Sequence, residues 1–167
     1  IVAIKIPRVD ITGGSSSNEQ FLREARAVAQ LNHPSIVPVY EVGVLDDEIY
    51  IVSDFVEGVS MFDYCSVHRM SARQAAKFCM DVALALEHAH CNGVVHRDLK
   101  PANIMMGGSA ADPASLFPLV LDFGLAKRDV GEITMTYDGK VLGTPAYMPP
   151  EQARGEAHGV DCRADIY

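Results

Sequence analysis

The sequence predicts an α+β fold in two parts, a small sheet carrying one helix and then a mainly helical lobe. Three observations carry that expectation. Runs rich in β-branched residues (1–6, 36–42 and 49–53) crowd the first third of the chain. The longest stretch of helical periodicity, 72–91, comes after them. Beyond it, short apolar runs alternate with polar loops that hold most of the chemically reactive side chains. At 167 residues the chain has the length of one domain of ~150 residues.

Pro7 closes the first strand, because proline has no N–H to continue a ladder. Gly13-Gly14-Ser15-Ser16-Ser17 reads as a flexible turn. Ser16 and Glu19 then have the spacing of a helix capping box. Phe21, Leu22, Ala25, Val28 and Ala29 follow as one apolar stripe, with Arg23, Glu24 and Arg26 between them. Asn32-His33-Pro34 ends this helix, since the residue before proline avoids helical geometry. The runs 36–42 and 49–53 flank Gly43 and Asp46-Asp47, which predicts an antiparallel hairpin. Ser71 and Gln74 repeat the capping spacing, and the helix 72–91 stops at Asn92-Gly93. Short strands are expected at Val94-Val95, 104–106 and 119–121, a surface loop over 107–118, and the start of a helix over 161–167.

Composition excludes several classes. Lys and Arg total 14 against 22 Asp and Glu, a net charge of −8. That balance argues against a protein built to grip nucleic-acid phosphate or an anionic membrane face. Hydrophobic residues at 49% and charged residues at 22% exclude a disordered chain. No apolar run approaches the ~18 residues of a membrane span, and no charged-then-apolar stretch of the leader type is read in these residues. A soluble, cytoplasmic segment is expected, although a parent protein with a membrane anchor is compatible with it. Cys65, Cys79, Cys91 and Cys162 form no C-x-x-C pair, so reduced thiols are expected, with Cys79 a small hydrophobe on its helix. The chain opens inside a strand and stops inside an apparent helix, which reads as a piece of something longer.

The reactive residues gather from Val94 onward. Val94-Val95-His96-Arg97-Asp98-Leu99-Lys100-Pro101-Ala102-Asn103 puts a carboxylate, an ammonium and an amide on one loop. Such a set can orient a hydroxyl, neutralise phosphate charge and hold a metal. Asp122-Phe123-Gly124 follows the run 119–121, so a second carboxylate emerges at a strand end. Asp122 and Asn103 are hard oxygen donors of the kind that suits Mg²⁺ bound through substrate phosphates. His96 is read as structural, with His33, His88, His90 and His158; Asp46-Asp47-Glu48 is read as a solvated turn.

These motifs resemble the eukaryotic-like Ser/Thr protein kinase family. Val2-Ala3-Ile4-Lys5 matches its V-A-I-K strand, His96 to Asn103 its H-R-D-L-x-x-x-N loop, and Asp122-Phe123-Gly124 its D-F-G. Gly143 to Glu151 resembles the end of its activation segment, and Met148 to Gln152 looks most like bacterial members. The resemblance covers essentially the whole chain, with the motifs in family order. It implies a bilobal fold truncated at both ends, with 1–53 in the small lobe, 54–58 as hinge and 59–167 in the large lobe.

The resemblance also implies roles. Lys5 would hold the α- and β-phosphates of ATP, with Glu24 as its ion-pair partner. Glu24 is preferred to Glu19 because it lies on the inward stripe. Asp98 would accept the proton of the substrate hydroxyl, and Lys100 would sit on the transferring phosphate. Asn103 and Asp122 would hold Mg²⁺. Backbone groups of Asp54 and Val56 would read adenine, Ala3 and Met105 would sandwich it, and Ser53 stands at the gatekeeper position. Asp165 would brace the His96-Arg97-Asp98 backbone. The expected function is phosphoryl transfer from Mg²⁺–ATP to Ser/Thr of protein substrates, with autophosphorylation at Thr134 or Thr136 as a switch.

Bland and rival readings stand beside these. Lys5 alone would suit a solvated edge strand. A pseudokinase scaffold would be expected to lose Lys5, Asp98 or Asp122, and none is lost. A small-molecule phosphotransferase of related fold would lack the 143–151 segment. The family's Gly-rich phosphate loop belongs before Lys5, where this chain starts, and Pro149 departs from the usual small residue. The 167 residues alone are expected neither to phosphorylate protein nor to hold ATP tightly.

Overall fold

The computed structural model describes residues 1–7, 15–46, 48–109, 112, 115–123, 145–154 and 160–167, with backbone alone for 15–18 and 145. The elements run β1 (Val2–Lys5), α1 (Ser15–Val28), β2 (Val39–Leu45), β3 (Glu48–Asp54), β4 (Val59–Ser60), α2 (Met61–Val67), α3 (Ala72–Cys91), β5 (Ile104–Gly107), β6 (Phe117–Val120) and α4 (Pro150–Ala153).

One antiparallel sheet has the order β1-β3-β2, with Lys5 opposite Ile51 and Ala3 opposite Ser53. β2 and β3 form the expected hairpin, and Asp46 at its tip takes φ 50°. A second antiparallel sheet has the order β4-β5-β6, with Ile104 opposite Val120. Between them, Val37 N–H donates to Val120 O at 3.0 Å and Val120 N–H to Ser35 O at 2.9 Å. The segment after α1 is therefore tied to the strand that leads into Asp122.

One core joins these layers. Phe21, Ala25 and Val28 of α1, Ile49 and Ile51 of β3, and Phe78, Val82, Leu86 and Ala89 of α3 share one buried cluster with Ile104, Val120 and Phe123, and α3 packs on β6. Each large side chain removed from water there contributes ~1.5–3 kcal/mol. α3 starts on the expected capping box: Ser71 Oγ accepts from Gln74 N–H at 3.3 Å and Gln74 Oε1 from Ser71 N–H at 2.9 Å. It stops where Gly93 takes φ 73°, a conformation glycine adopts without strain.

Several expectations need correction. β2 begins at Val39 rather than 36, because Pro38 has no N–H to donate. Val94-Val95 forms no strand; Val94 N–H bonds back to Ala89 O at 2.9 Å and its side chain is buried. β6 begins at Phe117, inside the expected loop, with Pro118 opposite Met106. On its outer side β6 meets the 35–37 segment only at Val120, so Pro118 removes no ladder bond. α2 went unread, since seven residues show little periodicity; its signal is Ser60, whose Oγ accepts from Asp63 N–H at 3.1 Å. The last residues, expected to start a helix, hold a 3-10 helix over Cys162–Asp165, with Asp161 accepting from Arg163 N–H at 2.9 Å. Cys79 is exposed on α3, so it is not a core hydrophobe; it and the other three cysteines are free. α1 begins at Ser15, which puts Ser16 inside the helix rather than before it.

Candidate active site

The chain returns from α3 to the second sheet through a loop that carries Asp98, Lys100 and Asn103, and Arg97 takes φ 64° on it. A non-glycine residue in that region costs ~1–2 kcal/mol, so the surroundings must hold it. Asp165 does much of this. Its Oδ2 accepts from His96 N–H at 2.8 Å and its Oδ1 from Arg97 N–H at 2.7 Å. His90 Nε2 lies 2.8 Å from the same Oδ2, and Gln152 Nε2 donates to Arg97 O at 3.0 Å. The sequence-based expectation for Asp165 matches this geometry. The contributions of His90 and Gln152 were not legible, because each acts on a residue more than fifty positions away.

His96 is fully buried against Phe123, ring centroids 4.9 Å apart. Its Nδ1 accepts from Asp98 N–H at 3.2 Å, which leaves the proton on Nε2, 2.8 Å from Leu121 O. Burial pushes its pKa below the ordinary value, against the opposing pull of Asp165 and the Leu121 carbonyl. The ring is thus a neutral strut between the Asp98 loop and the end of β6.

Asp98, Lys100 and Asn103 meet at half-buried positions. Lys100 Nζ lies 2.9 Å from Asp98 Oδ2, and Asn103 Nδ2 donates to Asp98 O at 2.8 Å and Oδ2 at 3.1 Å. Leu121 N–H donates to Asn103 O at 2.9 Å, which sets Asn103 beside the residue preceding Asp122. Asp122 takes φ 57°, and its Oδ2 lies 2.8 Å from Lys5 Nζ across from β1. So Lys5 and Asp122 are brought together, as are Asp98, Lys100 and Asn103. Glu24 is half-buried where Glu19 is exposed. It lines a cleft of about 70 Å³ with Val94, Arg97 and Phe123.

The connector between the sheets spans 55–58 and ends at Gly58, φ 154°, where a Cβ would meet Met106 O at 2.7 Å. Only glycine tolerates that approach. Ala3 stands on the sheet before it and Met105 on the sheet after it, both half-buried. Asp54 N–H is taken by Pro38 O at 3.0 Å, and Val56 is half-buried. Gly124, Lys127, Thr134, Thr136, Gly143, Thr144 and His158 lie outside the described residues, as does Asp47 of the hairpin tip. Pro149 is buried at the N-cap of α4.

Among the described residues no three His, Cys, Asp or Glu side chains converge as a metal cage. Asp122 and Asn103 nevertheless fit Mg²⁺ held through a nucleotide, which takes one or two side-chain oxygens and completes its shell with phosphate and water. With its Nδ2 turned to Asp98, Asn103 presents its carbonyl oxygen elsewhere.

A family model described as the protein kinase domain matches residues 1–167. Serine/threonine-protein kinase PknB of Mycobacterium leprae is 40% identical over 173 aligned residues, covering 99% of this chain and 26% of that protein. PknB of Mycobacterium tuberculosis is 39% identical over the same shares. The chain thus spans about a quarter of the length of these curated relatives. Among solved structures, a mutant PknI kinase domain from Mycobacterium tuberculosis superimposes with a TM-score of 0.73 at 26% identity, covering 98% of this chain and 58% of that one. A structure of Rad53 residues 1–466 in complex with AMP-PNP gives a TM-score of 0.66 at 28% identity, with 93% and 35% covered.

Proposed function

Because this chain belongs to the protein kinase domain family, we propose that it provides the site at which the γ-phosphoryl group of Mg²⁺–ATP passes to serine or threonine of protein substrates. The observation that carries the reading is the meeting of Lys5 of β1 with Asp122, and of Asp98 with Lys100 and Asn103 on a loop braced by Asp165. In the transfer, a bond forms between the substrate oxygen and the γ-phosphorus while the γ-phosphorus parts from the bridging oxygen of the leaving ADP. Asp98 orients the hydroxyl and takes its proton. Lys100 offsets the charge on the moving phosphoryl group.

Lys5 holds the α- and β-phosphates, with Glu24 as its ion-pair partner. Asn103 and Asp122 hold Mg²⁺, which supplies positive charge to the phosphate oxygens. Backbone groups of Asp54 and Val56 bind the adenine edge, and Ala3 and Met105 close on its two faces. Lys100 in its place after Asp98 favours serine and threonine over tyrosine. Regulation runs through residues 122–151: phosphate on Thr134 or Thr136, adding about −1.5 to −2 charge, docks on Arg97 and Lys127. Arg97 Nε is buried with no hydrogen-bond partner among the described residues, which supports an anion arriving there. No described helix is long and apolar enough to cross a membrane.

The test is phosphate transfer from radiolabelled ATP by the full-length protein onto a serine- or threonine-bearing protein. Transfer lost in Asp98→Asn with nucleotide binding kept is the expected result. Nucleotide binding without any transfer in the unmodified protein would favour the scaffold reading instead.

A further inference from the structure

A cavity of about 300 Å³ opens where α2 approaches the start of α3, outside the residues of the Asp98 site. Tyr64 and Phe78, both buried, and Met70 and Leu116, both half-buried, give it an apolar floor. Arg73 and Lys77, both exposed, stand at its edge. The charge there runs against the rest of the chain. The whole carries −8, yet residues 64–80 contain Arg69, Arg73 and Lys77 and no Asp or Glu. Lys77 shares its charge with Asp81 at 2.7 Å but stays 59% exposed, and Arg73 pairs with no described residue.

Apolar floor and cationic edge together specify a ligand with an apolar anchor beside negative charge. The volume lies at the small end of ligand pockets, ~300–1,000 Å³, and suits one or two large side chains. Arg73 and Lys77 are one helical turn apart, ~6 Å along α3, so they match two carboxylates at separate positions rather than one. We propose that this cavity docks a segment of a partner protein in which one or two large apolar residues are flanked by Asp or Glu. α2, which supplies Tyr64, packs against the Pro101–Asn103 turn of the Asp98 loop. A docked partner therefore sits one helix away from the reacting groups. The proposal stands on this surface and does not depend on phosphoryl transfer.

Fluorescence anisotropy on the full-length protein tests it with three labelled peptides. One has a Leu-Phe centre with three glutamates on each side, the second replaces Leu-Phe by Ser-Gly, and the third replaces the glutamates by lysines. The first is expected to bind, and the other two at least tenfold more weakly. The double variant R73E/K77E should lose at least tenfold for the first peptide and gain for the third. Arg73→Gln, a neutral change at an exposed position, should show a smaller loss and covers the case in which the double variant fails to fold. Asp98→Asn should bind the first peptide as the unmodified protein does. Equal binding of the Leu-Phe and Ser-Gly peptides, indifference to both arginine changes, or no peptide binding while decanoate binds, would each overturn the proposal.

Discussion

Asp165 Oδ1 accepts the Arg97 backbone N–H at 2.7 Å across 68 positions of sequence, and so holds a non-glycine residue at φ 64°. The other oxygen takes His96 N–H, so one buried carboxylate fixes two consecutive amides just ahead of Asp98. Asp165→Asn puts an amide NH₂ where an acceptor is needed. One buried N–H then loses its partner, which costs ~1–3 kcal/mol, and Arg97 can relax toward ordinary φ. The expected outcome is a lower denaturant midpoint together with a fall in transfer rate. A variant with unchanged stability and rate would show that the brace is dispensable.

Asp98→Asn separates chemistry from structure. The change keeps the shape and an oxygen for Lys100 but removes the proposed proton acceptor, which should lower turnover by ~10²–10⁴-fold. The ion pair it weakens is partly exposed and worth ~0–1 kcal/mol, so the melting temperature should barely move. Turnover by rapid quench beside calorimetry reads both quantities on one sample.

Acid should destabilise the fold through His96. Burial lowers its folded-state pKa below the unfolded value of ~6.5, so on acidification the unfolded chain binds the proton first. The stabilising contribution is complete above ~6.5 and shrinks as pH falls from there toward the folded value. The slope is at most ~1.4 kcal/mol per pH unit for one such group. His33 shifts in the same direction, by burial and then by the neighbouring His88, with Asp81 opposing. Urea midpoints measured from pH 7.5 down to 5.5 should decline, and His33→Asn should remove only part of the decline. A flat profile would contradict the neutral, buried imidazole.

The site was legible in the sequence to the extent that its residues sit in short contiguous runs. Asp98, Lys100 and Asn103 share one loop, and their mutual contacts follow from it. α3 was legible at both ends because Ser71, Gln74 and Gly93 act locally. What escaped was set by partners distant in sequence or by chain too short for periodicity. His90 and Gln152 matter only through Asp165 and Arg97. α2 has seven residues, and β6 carries a proline at a position where its outer side makes no ladder bond. The outward facing of Cys79 depends on which side of α3 the sheet covers, which no local pattern states.

Ser53 is the residue we propose to set what can pass behind the adenine site. It lies on β3 between Ala3 of β1 and Val39 of β2, half-buried, two residues before the connector to the second sheet. Ser53→Phe adds an aromatic ring at a position flanked by two strands, and the ring must point toward the space behind Ala3 or out of the sheet. In the first case, inhibitors that extend past adenine lose contact with the rear space and should weaken by at least about tenfold, a difference of ~1.4 kcal/mol. ATP, whose proposed contacts are the Asp54 and Val56 backbone, Ala3 and Met105, should keep its KM within about threefold, or ~0.65 kcal/mol. Titrating both ligands against the variant and the unmodified protein decides the matter: equal losses would place Ser53 elsewhere than at the rear of the nucleotide site.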